Sequence, residues 1–129
     1  MTRETEALTS DLAARAFVRE CRLSILDGDA VRDVRVFAAE RIVIGADASA
    51  DLVIDDPATS KFHSEIRFVD GACFVRDLGS RNGTSVDRVP ILDAPLRDGA
   101  VLGCGRVQLR FELGTQQREL TLSQRDRFG

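Results

Sequence analysis

The sequence of 129 residues has no apolar run near the roughly 20 residues needed to cross a bilayer. Residues 1–6 also lack the apolar core of a secretory signal peptide, so we expect a cytoplasmic protein without a membrane partner. An excess of positive charge is missing as well, because 18 basic residues face 21 acidic ones and the formal charge is −3. This balance disfavours direct contact with nucleic acid, and any anion site must therefore be local.

Cysteine and histidine are scarce. Cys21, Cys73 and Cys104 are odd in number and widely spaced, which argues against a disulfide framework and a structural zinc site. We expect free thiols that are buried or half-buried. His63 is the only histidine, and no compact carboxylate cluster completes a ligand set, so we expect neither a metal nor a cofactor.

Signatures of catalysis are also lacking. No Gly-rich loop ends in Gly-Lys-Ser/Thr, which excludes a phosphate-binding loop for nucleotide hydrolysis in this chain. No nucleophile stands at a recognisable spacing from His63, so a role for this histidine as a general base is disfavoured. We expect a protein that is not an enzyme.

Short apolar runs bounded by Gly, Asp or Pro predict β-strands at residues 23–26, 34–37, 42–44 and 52–54. The runs at 66–69 and 73–75 flank Asp70-Gly71, a pair that tolerates the positive φ angles of a tight hairpin.

Residues 106–113 alternate between polar and apolar, the pattern of a strand with one buried face. Many short strands with almost no helix between them predict an all-β protein, an antiparallel sandwich of two sheets with loops gathered at its ends.

The chain ends are more polar than its middle. Leu8, Leu12 and Ala16 recur at helical spacing after the start, where a short helix and a disordered leader both fit. After Leu113 the sequence has nothing left to complete a core. We therefore expect a short N-terminal extension at 1–19, a β-sandwich domain at 20–114 and a C-terminal linker at 115–129.

Two polar stretches carry the functional signal, Ser-Lys-Phe-His at 60–63 and Ser-Arg-Asn-Gly-Thr at 80–84. Hydroxyl and ammonium groups donate charge-assisted hydrogen bonds to phosphate oxygens, and an asparagine amide can clamp the backbone of an extended peptide. The pair predicts a phosphate-reading surface on two loops. Ordinary turn chemistry is the alternative, because Ser and Asn-Gly are also typical turn residues.

Together with Gly45, these stretches resemble the forkhead-associated (FHA) domain, a phosphothreonine-reading β-sandwich. The resemblance covers about residues 40 to 113. The family pattern is Gly-Arg, then Ser-Arg-any-His, then Ser-any-Asn-Gly, and this chain departs from it at Ala46 and Lys61. The resemblance implies a phosphothreonine-containing protein or peptide as the partner.

The resemblance also implies roles for the matching residues. Ser60 is expected to bond the phosphate, and Lys61 to replace the family's arginine with a point charge that lacks the planar guanidinium fork. Asn82 is expected to hold the main chain of the peptide. Two interpretations of Arg81 stay open. It donates either to the phosphate or to an acidic residue of the peptide, or it is a solvated turn residue. Thr84 is a weaker candidate for the same surface.

Three matching residues are expected to be structural rather than in contact with the ligand. His63 corresponds to a histidine that braces its loop from inside by hydrogen bonding. Gly45 and Gly83 complete the two glycine positions of the pattern.

Ala46 is the most consequential departure, since the family usually has an arginine there. One lost charge-assisted contact costs about 1.5 to 3 kcal/mol, or about ten- to a hundredfold in affinity. Arg81 and Arg41 are the candidates to compensate. The alternative function is therefore a sandwich with a degenerate phosphate site that makes phosphate-independent contacts within its own protein or with a second copy.

The final residues, Arg127, Phe128 and Gly129, are similar to the start of the AAA+ ATPase domain in sigma-54-type transcription activators. Some of these activators carry an N-terminal FHA sensor. This similarity implies the sensory domain of a bacterial enhancer-dependent regulator, with 115–129 leading to an AAA+ domain that is a further candidate partner.

Overall fold

The structure, a computed structural model, describes the backbone of residues 16–120 and the side chains of residues 20–114. Residues 1–15 of the helix or leader expected at 1–19 lie outside these residues, as does the tripeptide at 127–129, whereas the backbone of residues 16–19 belongs to a strand. The described backbone forms eleven strands and no helix. They are β1 (Ala16–Asp27), β2 (Ala30–Phe37), β3 (Arg41–Gly45), β4 (Leu52–Val53), β5 (Ser64–Val69), β6 (Ala72–Asp77), β7 (Thr84–Val86), β8 (Val89–Ile91), β9 (Asp93–Pro95), β10 (Val101–Cys104) and β11 (Val107–Leu120).

The strands form two sheets. One has six strands in the order β2-β1-β11-β10-β7-β8, and the other has five in the order β9-β6-β5-β3-β4. The predicted all-β sandwich is thus confirmed. One pair differs from the antiparallel rule, because β4 runs parallel to β3 with Ile44 opposite Leu52.

The core lies between the inner faces of the two sheets. Ile42, Ile66 and Val75 from the five-stranded sheet are fully buried, as are Leu109 and Phe111 from β11. The alternation predicted for the last strand is confirmed, since Leu109 and Phe111 are buried and Val107 and Leu113 pack partly buried against the core. The residues between them stay partly or fully exposed.

The predicted hairpin is confirmed at β5 and β6. Asp70 and Gly71 form its turn with φ angles of 51° and 80°. Two successive positive φ angles are the geometry in which the turn follows the right-handed twist of the strands.

Four strands from β7 to β10 were not predicted, because each has only three or four residues. Pro90 and Pro95 also argue against strands, since proline cannot donate to a hydrogen-bond ladder. Pro90 lies in β8 and Pro95 in β9, and each of these strands is the edge of its sheet. At an edge, the missing donor leaves no neighbour unpaired.

The three cysteines are free and buried, as predicted. Burial raises the pKa of Cys21 and of Cys73 to about 12, and that of Cys104 to about 11. Among the described residues, no group of three His, Cys, Asp or Glu side chains is arranged to hold a metal ion. The same part of the chain contains no helix with the length and hydropathy of a membrane span.

The domain boundaries at 19/20 and 114/115 stay a prediction. The backbone pairing of β1 with β11 extends past both of them, from 19 opposite 117 to 16 opposite 120.

Candidate functional site

The two motif stretches lie on neighbouring loops, 54–63 between β4 and β5 and 78–83 between β6 and β7. The backbone N–H of Arg81 donates to Ser60 Oγ at 3.0 Å, which joins the loops directly. Arg81 Nη2 donates to the carbonyl oxygen of Pro57 at 3.0 Å, and Asn82 Nδ2 donates to that of Ala58 at 2.8 Å. The structure therefore brings together Ser60, Arg81 and Asn82, which are separated by about twenty residues in the sequence.

These contacts leave polar groups available to a ligand. The oxygen of Ser60 accepts from Arg81, so its hydroxyl hydrogen is left to donate elsewhere. Asn82 uses its amide nitrogen, and its Oδ1 has no partner within residues 20–114. Lys61 is exposed, and its ammonium makes no hydrogen bond in the same part of the chain.

His63 lies beneath both loops and is 0% exposed. Its Nδ1 accepts the backbone N–H of Ser60 at 3.0 Å. Its Nε2 lies 2.8 Å from the carbonyl oxygen of Gly83. An N–H can only donate and a carbonyl can only accept, so the imidazole is neutral with its hydrogen on Nε2. One side chain thus links the two loops from inside.

Asp77 is a site residue that the sequence reasoning missed. Its Oδ1 accepts the hydroxyls of Ser80 at 2.5 Å and Thr84 at 2.7 Å. Its Oδ2 accepts the N–H groups of Gly79 and Ser80, each at 3.0 Å. Burial acts to raise the pKa of Asp77, but these hydrogen bonds outweigh it and the pKa is lowered. The available signal was the Asp-x-x-Ser spacing, which is typical of a turn closed by a carboxylate.

Thr84 does not belong to the ligand surface, so its assignment as a candidate contact was wrong. It is 2% exposed, because β7 turns its side chain into the sandwich. Its hydroxyl bonds Asp77 and lies 2.7 Å from Ser64 Oγ. Thr84 therefore positions the loop through Asp77.

The two glycines meet different requirements. A Cβ on Gly45 would lie 1.9 Å from the carbonyl oxygen of Lys61, so this position is required by close backbone approach. Gly83 has a φ of +86° with open space around it, so this position is required by conformation.

Ala46 lies against the motif loop, since its N–H donates to the carbonyl oxygen of Ser60 at 3.0 Å. The N–H of the next residue, Asp47, donates to the carbonyl oxygen of Lys61 at 3.1 Å. Hydrogen bonds from the Ser49 hydroxyl and backbone lower the pKa of Asp47, and the charge of Lys61 lowers it further. The loop thus places a carboxylate near Lys61 and has no cation at 46.

Arg41 does not compensate for Ala46. It lies at the opposite end of β3 from Gly45 and pairs with Glu65 on the outer face of the sheet. Of the two candidates, Arg81 alone is next to the motif loop.

Sequence relatives point to bacterial regulators. The chain is 36% identical over 75 residues to the glycogen accumulation regulator GarA of Mycobacterium tuberculosis, covering 58% of this chain and 46% of GarA. It is 36% identical over 70 residues to the oxoglutarate dehydrogenase inhibitor of Corynebacterium efficiens, covering 54% of this chain and 49% of that protein. The chain thus spans about half the length of these relatives.

Solved structures share the fold. A domain studied for phosphothreonine-dependent FHA interactions matches with a TM-score of 0.67 and 26% identity, over 75% of this chain and 99% of that one. The FHA domain of FhaA, in complex with an intracellular domain, matches with a TM-score of 0.64 and 27% identity, over 71% of this chain and 99% of that one. Residues 42–105 match the family model of the FHA domain. The β-sandwich of this chain is therefore an FHA domain.

Proposed function

We propose that this domain is a phosphothreonine-dependent protein-binding module without catalytic activity. Ser60, Lys61 and Arg81 bind the phosphate, and Asn82 holds the peptide main chain. The observation that carries the proposal is the hydrogen bond from the Arg81 N–H to Ser60 Oγ. It joins the two motif loops, so that the hydroxyl of Ser60 lies beside the backbone of Arg81 in the second loop.

The comparisons support this function at the level of the family. The domain studied for phosphothreonine-dependent FHA interactions is similar over nearly its whole length. GarA is named as a regulator and its corynebacterial counterpart as an inhibitor, roles that belong to those proteins. From them we infer a regulatory role for this chain, exerted by binding another protein.

The experiment is binding of the purified chain to a degenerate phosphothreonine peptide library and to its unphosphorylated counterpart. Moderate salt screens nonspecific attraction between charges. We expect selective retention of the phosphorylated library. Equal or absent retention of the two libraries would contradict the proposal and favour a phosphate-independent module.

A cytoplasmic location is part of the same proposal. Three free buried thiols suit a reducing compartment. The ligand in the similar FhaA complex is named as an intracellular domain, which agrees with such a location. Cell fractionation with an antibody to the chain tests it.

A finer proposal makes this domain the sensor of a sigma-54-type transcription activator. Its support is the similarity of residues 127–129 to the start of an AAA+ domain. Reading the gene beyond residue 129 tests it. A continuation into an ATPase domain agrees with the proposal, and a stop codon or an unrelated domain contradicts it.

The second candidate function is phosphate-independent self-association. The observation that favours it is strand β2, which is an edge of the six-stranded sheet and exposes Val31, Val34 and Val36. Edge strands present unpaired backbone groups that can bind another strand. In an antiparallel pair of copies with Val34 opposite Val34, Asp33 faces Arg35 of the second copy. If the twofold axis moved by one residue along the strand, Asp33 would face Asp33 or Arg35 would face Arg35 of the second copy. The repulsion between like charges therefore selects the register centred on Val34.

Charge exchange tests this candidate. Asp33→Arg and Arg35→Asp should each weaken a dimer, because both place like charges opposite each other. A mixture of the two variants should restore a heterodimer, which sedimentation equilibrium detects. A wild-type monomer at every concentration, or a mixture without heterodimer, would contradict self-association through β2.

A further inference from the structure

One buried carboxylate on the outer face of the five-stranded sheet is surrounded by cations. Glu65 in β5 is 2% exposed. Its Oε1 lies 3.1 Å from Arg76 Nη2 and 3.5 Å from Arg67 Nε, and Arg41 Nε bonds Oε2. These three arginines around Glu65 form the arginine platform.

The arginine platform has more positive charge than its carboxylate neutralises. Three guanidinium groups and one carboxylate leave a net charge of about +2, on a chain whose formal charge is −3. Asp93 lies opposite Arg76 in the sheet and Asp51 lines the same groove as Arg41, so these two carboxylates offset part of the excess. The Arg41, Arg67 and Arg76 side chains are 62%, 37% and 48% exposed, so this charge reaches solvent.

Glu65 also orders the guanidinium groups. Each guanidinium has five N–H donors, and the contacts with Glu65 use one nitrogen of each. The described residues supply no second ion pair to any of the three, so the guanidinium groups keep donors that are not used in ion pairs. Groups held in place before binding lose less entropy when a ligand arrives, and guanidinium matches carboxylate geometry.

A groove leads from the arginine platform to the phosphate loops. Val43, Phe62 and Leu78 form its apolar lining, and Arg41 lies at its end, in a volume of about 290 Å³. Phe62 directly follows Lys61, and Leu78 directly precedes the 79–83 turn. The carboxylate of Asp51 also lines the groove, but it accepts the Val43 N–H at 2.8 Å.

The distance along the groove suits a short peptide. Arg41 and Gly45 are the two ends of strand β3, which at about 3.3 Å per residue separates them by about 13 Å. An extended ligand covers that length with about four residues.

We propose that the arginine platform is a second subsite for the ligand, selecting acidic residues about four positions from the phosphothreonine. An apolar ligand residue lies in the groove between them, against Phe62 and Leu78. The subsite rests on the proposed phosphothreonine-dependent function. It adds a ligand class, a phosphopeptide with an acidic flank.

The test uses matched peptides with a neutral, an acidic or a lysine-containing flank, in phosphorylated and unphosphorylated forms. The flank is placed three to five positions before the phosphothreonine in one set and after it in the other. By fluorescence anisotropy, we expect an acidic flank on one side to tighten binding of the phosphopeptide about three- to tenfold. The lysine flank should weaken binding, and added salt should reduce the difference.

Arg41→Gln is the test variant, because it leaves Glu65 with two other arginines. It should remove most of the preference for the acidic flank and leave the affinity for the neutral phosphopeptide unchanged. Arg22→Gln is the matched control, since Arg22 is similarly exposed and lies near Glu112 on the other sheet. It changes the net charge equally and should keep the preference.

The outcomes separate the two proposals. Binding of the neutral phosphopeptide without any effect of flank charge would overturn the second subsite and leave phosphothreonine recognition intact. If Arg41→Gln weakened binding of the neutral-flank and acidic-flank phosphopeptides equally, the second subsite would also be overturned, since Arg41 would then act only through the fold. Absence of binding by every phosphopeptide would overturn both proposals.

Discussion

The Nε2–H of His63 donates to the carbonyl oxygen of Gly83 across 2.8 Å, and this bond spans the two loops of the candidate site. The same ring accepts the N–H of Ser60 through Nδ1. Loss of the ring would leave a cavity and a Ser60 N–H without its partner, and the Gly83 carbonyl oxygen would keep only the N–H of Gly105 at 3.2 Å.

His63→Ala should therefore lower the free energy of unfolding by about 2 to 4 kcal/mol, measured by urea denaturation. His63→Gln is the control, because its amide can still donate to Gly83 and should recover part of the loss. A His63→Ala variant of normal stability that only binds less would contradict a structural role for the ring.

Gly45→Ala should destabilise the domain more than Gly28→Ala, although Gly28 has the more demanding φ of +63°. A methyl group at Gly45 would lie 1.9 Å from the Lys61 carbonyl oxygen. A methyl group at Gly28 would have no heavy atom within 4 Å. Backbone strain at Gly28 should cost about 1 kcal/mol, and displacement of the motif loop should cost more. Thermal unfolding of both variants decides the order, and equal losses would contradict the close approach.

Ser60→Ala and Asn82→Ala should each abolish retention of the phosphothreonine library while the domain stays folded. Both residues lie on loops at the surface, so the free energy of unfolding should fall by no more than about 1 kcal/mol. Ser85→Ala in β7 is the control and should bind normally. Loss of the circular dichroism signal in either test variant would show that the side chain supports the fold.

Ala46→Arg should strengthen phosphopeptide binding about tenfold or more, because it supplies a charge-assisted donor beside Ser60. Ala48→Arg is the matched control, since it adds the same charge to the same loop two residues further on. Calorimetric titration measures both variants. An equal gain in both would indicate nonspecific attraction, and no gain would count against a phosphate beside position 46.

Asp77→Asn should lower the free energy of unfolding by about 1 to 3 kcal/mol at neutral pH, since an amide nitrogen cannot accept the bonds that Oδ2 receives. The folded-state pKa of Asp77 is lowered, so its stabilising effect is complete above the ordinary aspartate pKa of about 4. The effect is lost as the pH falls through the folded-state pKa.

Urea denaturation between pH 7 and pH 2 measures this dependence. The difference between wild type and Asp77→Asn should shrink on acidification, and Asp29→Asn in the exposed β1–β2 turn serves as the control. A difference that is independent of pH would mean that the Asp77 carboxylate is not charged in the folded protein.

The sequence predicted the fold class and its longer strands because short apolar runs bounded by Gly, Asp or Pro are typical of strands, and residues 106–113 alternate with a period of two. The hairpin turn was predictable too, since few residues accept the φ angles that Asp70 and Gly71 adopt. The short strands β7 to β10 were not, because three residues are too few to establish a period. Their pairing depends on neighbours that are distant in the sequence.

The sequence by itself determined which donors the candidate site has, because Ser60, Lys61, Arg81 and Asn82 stand in two recognisable stretches. Only the tertiary structure decided how they are held. Thr84 alternates into the sandwich, Asp77 closes the second loop, and Arg41 lies at the other end of its strand. Pattern and spacing specify residue types along one chain, whereas contacts between loops arise when separate strands pack around a common core.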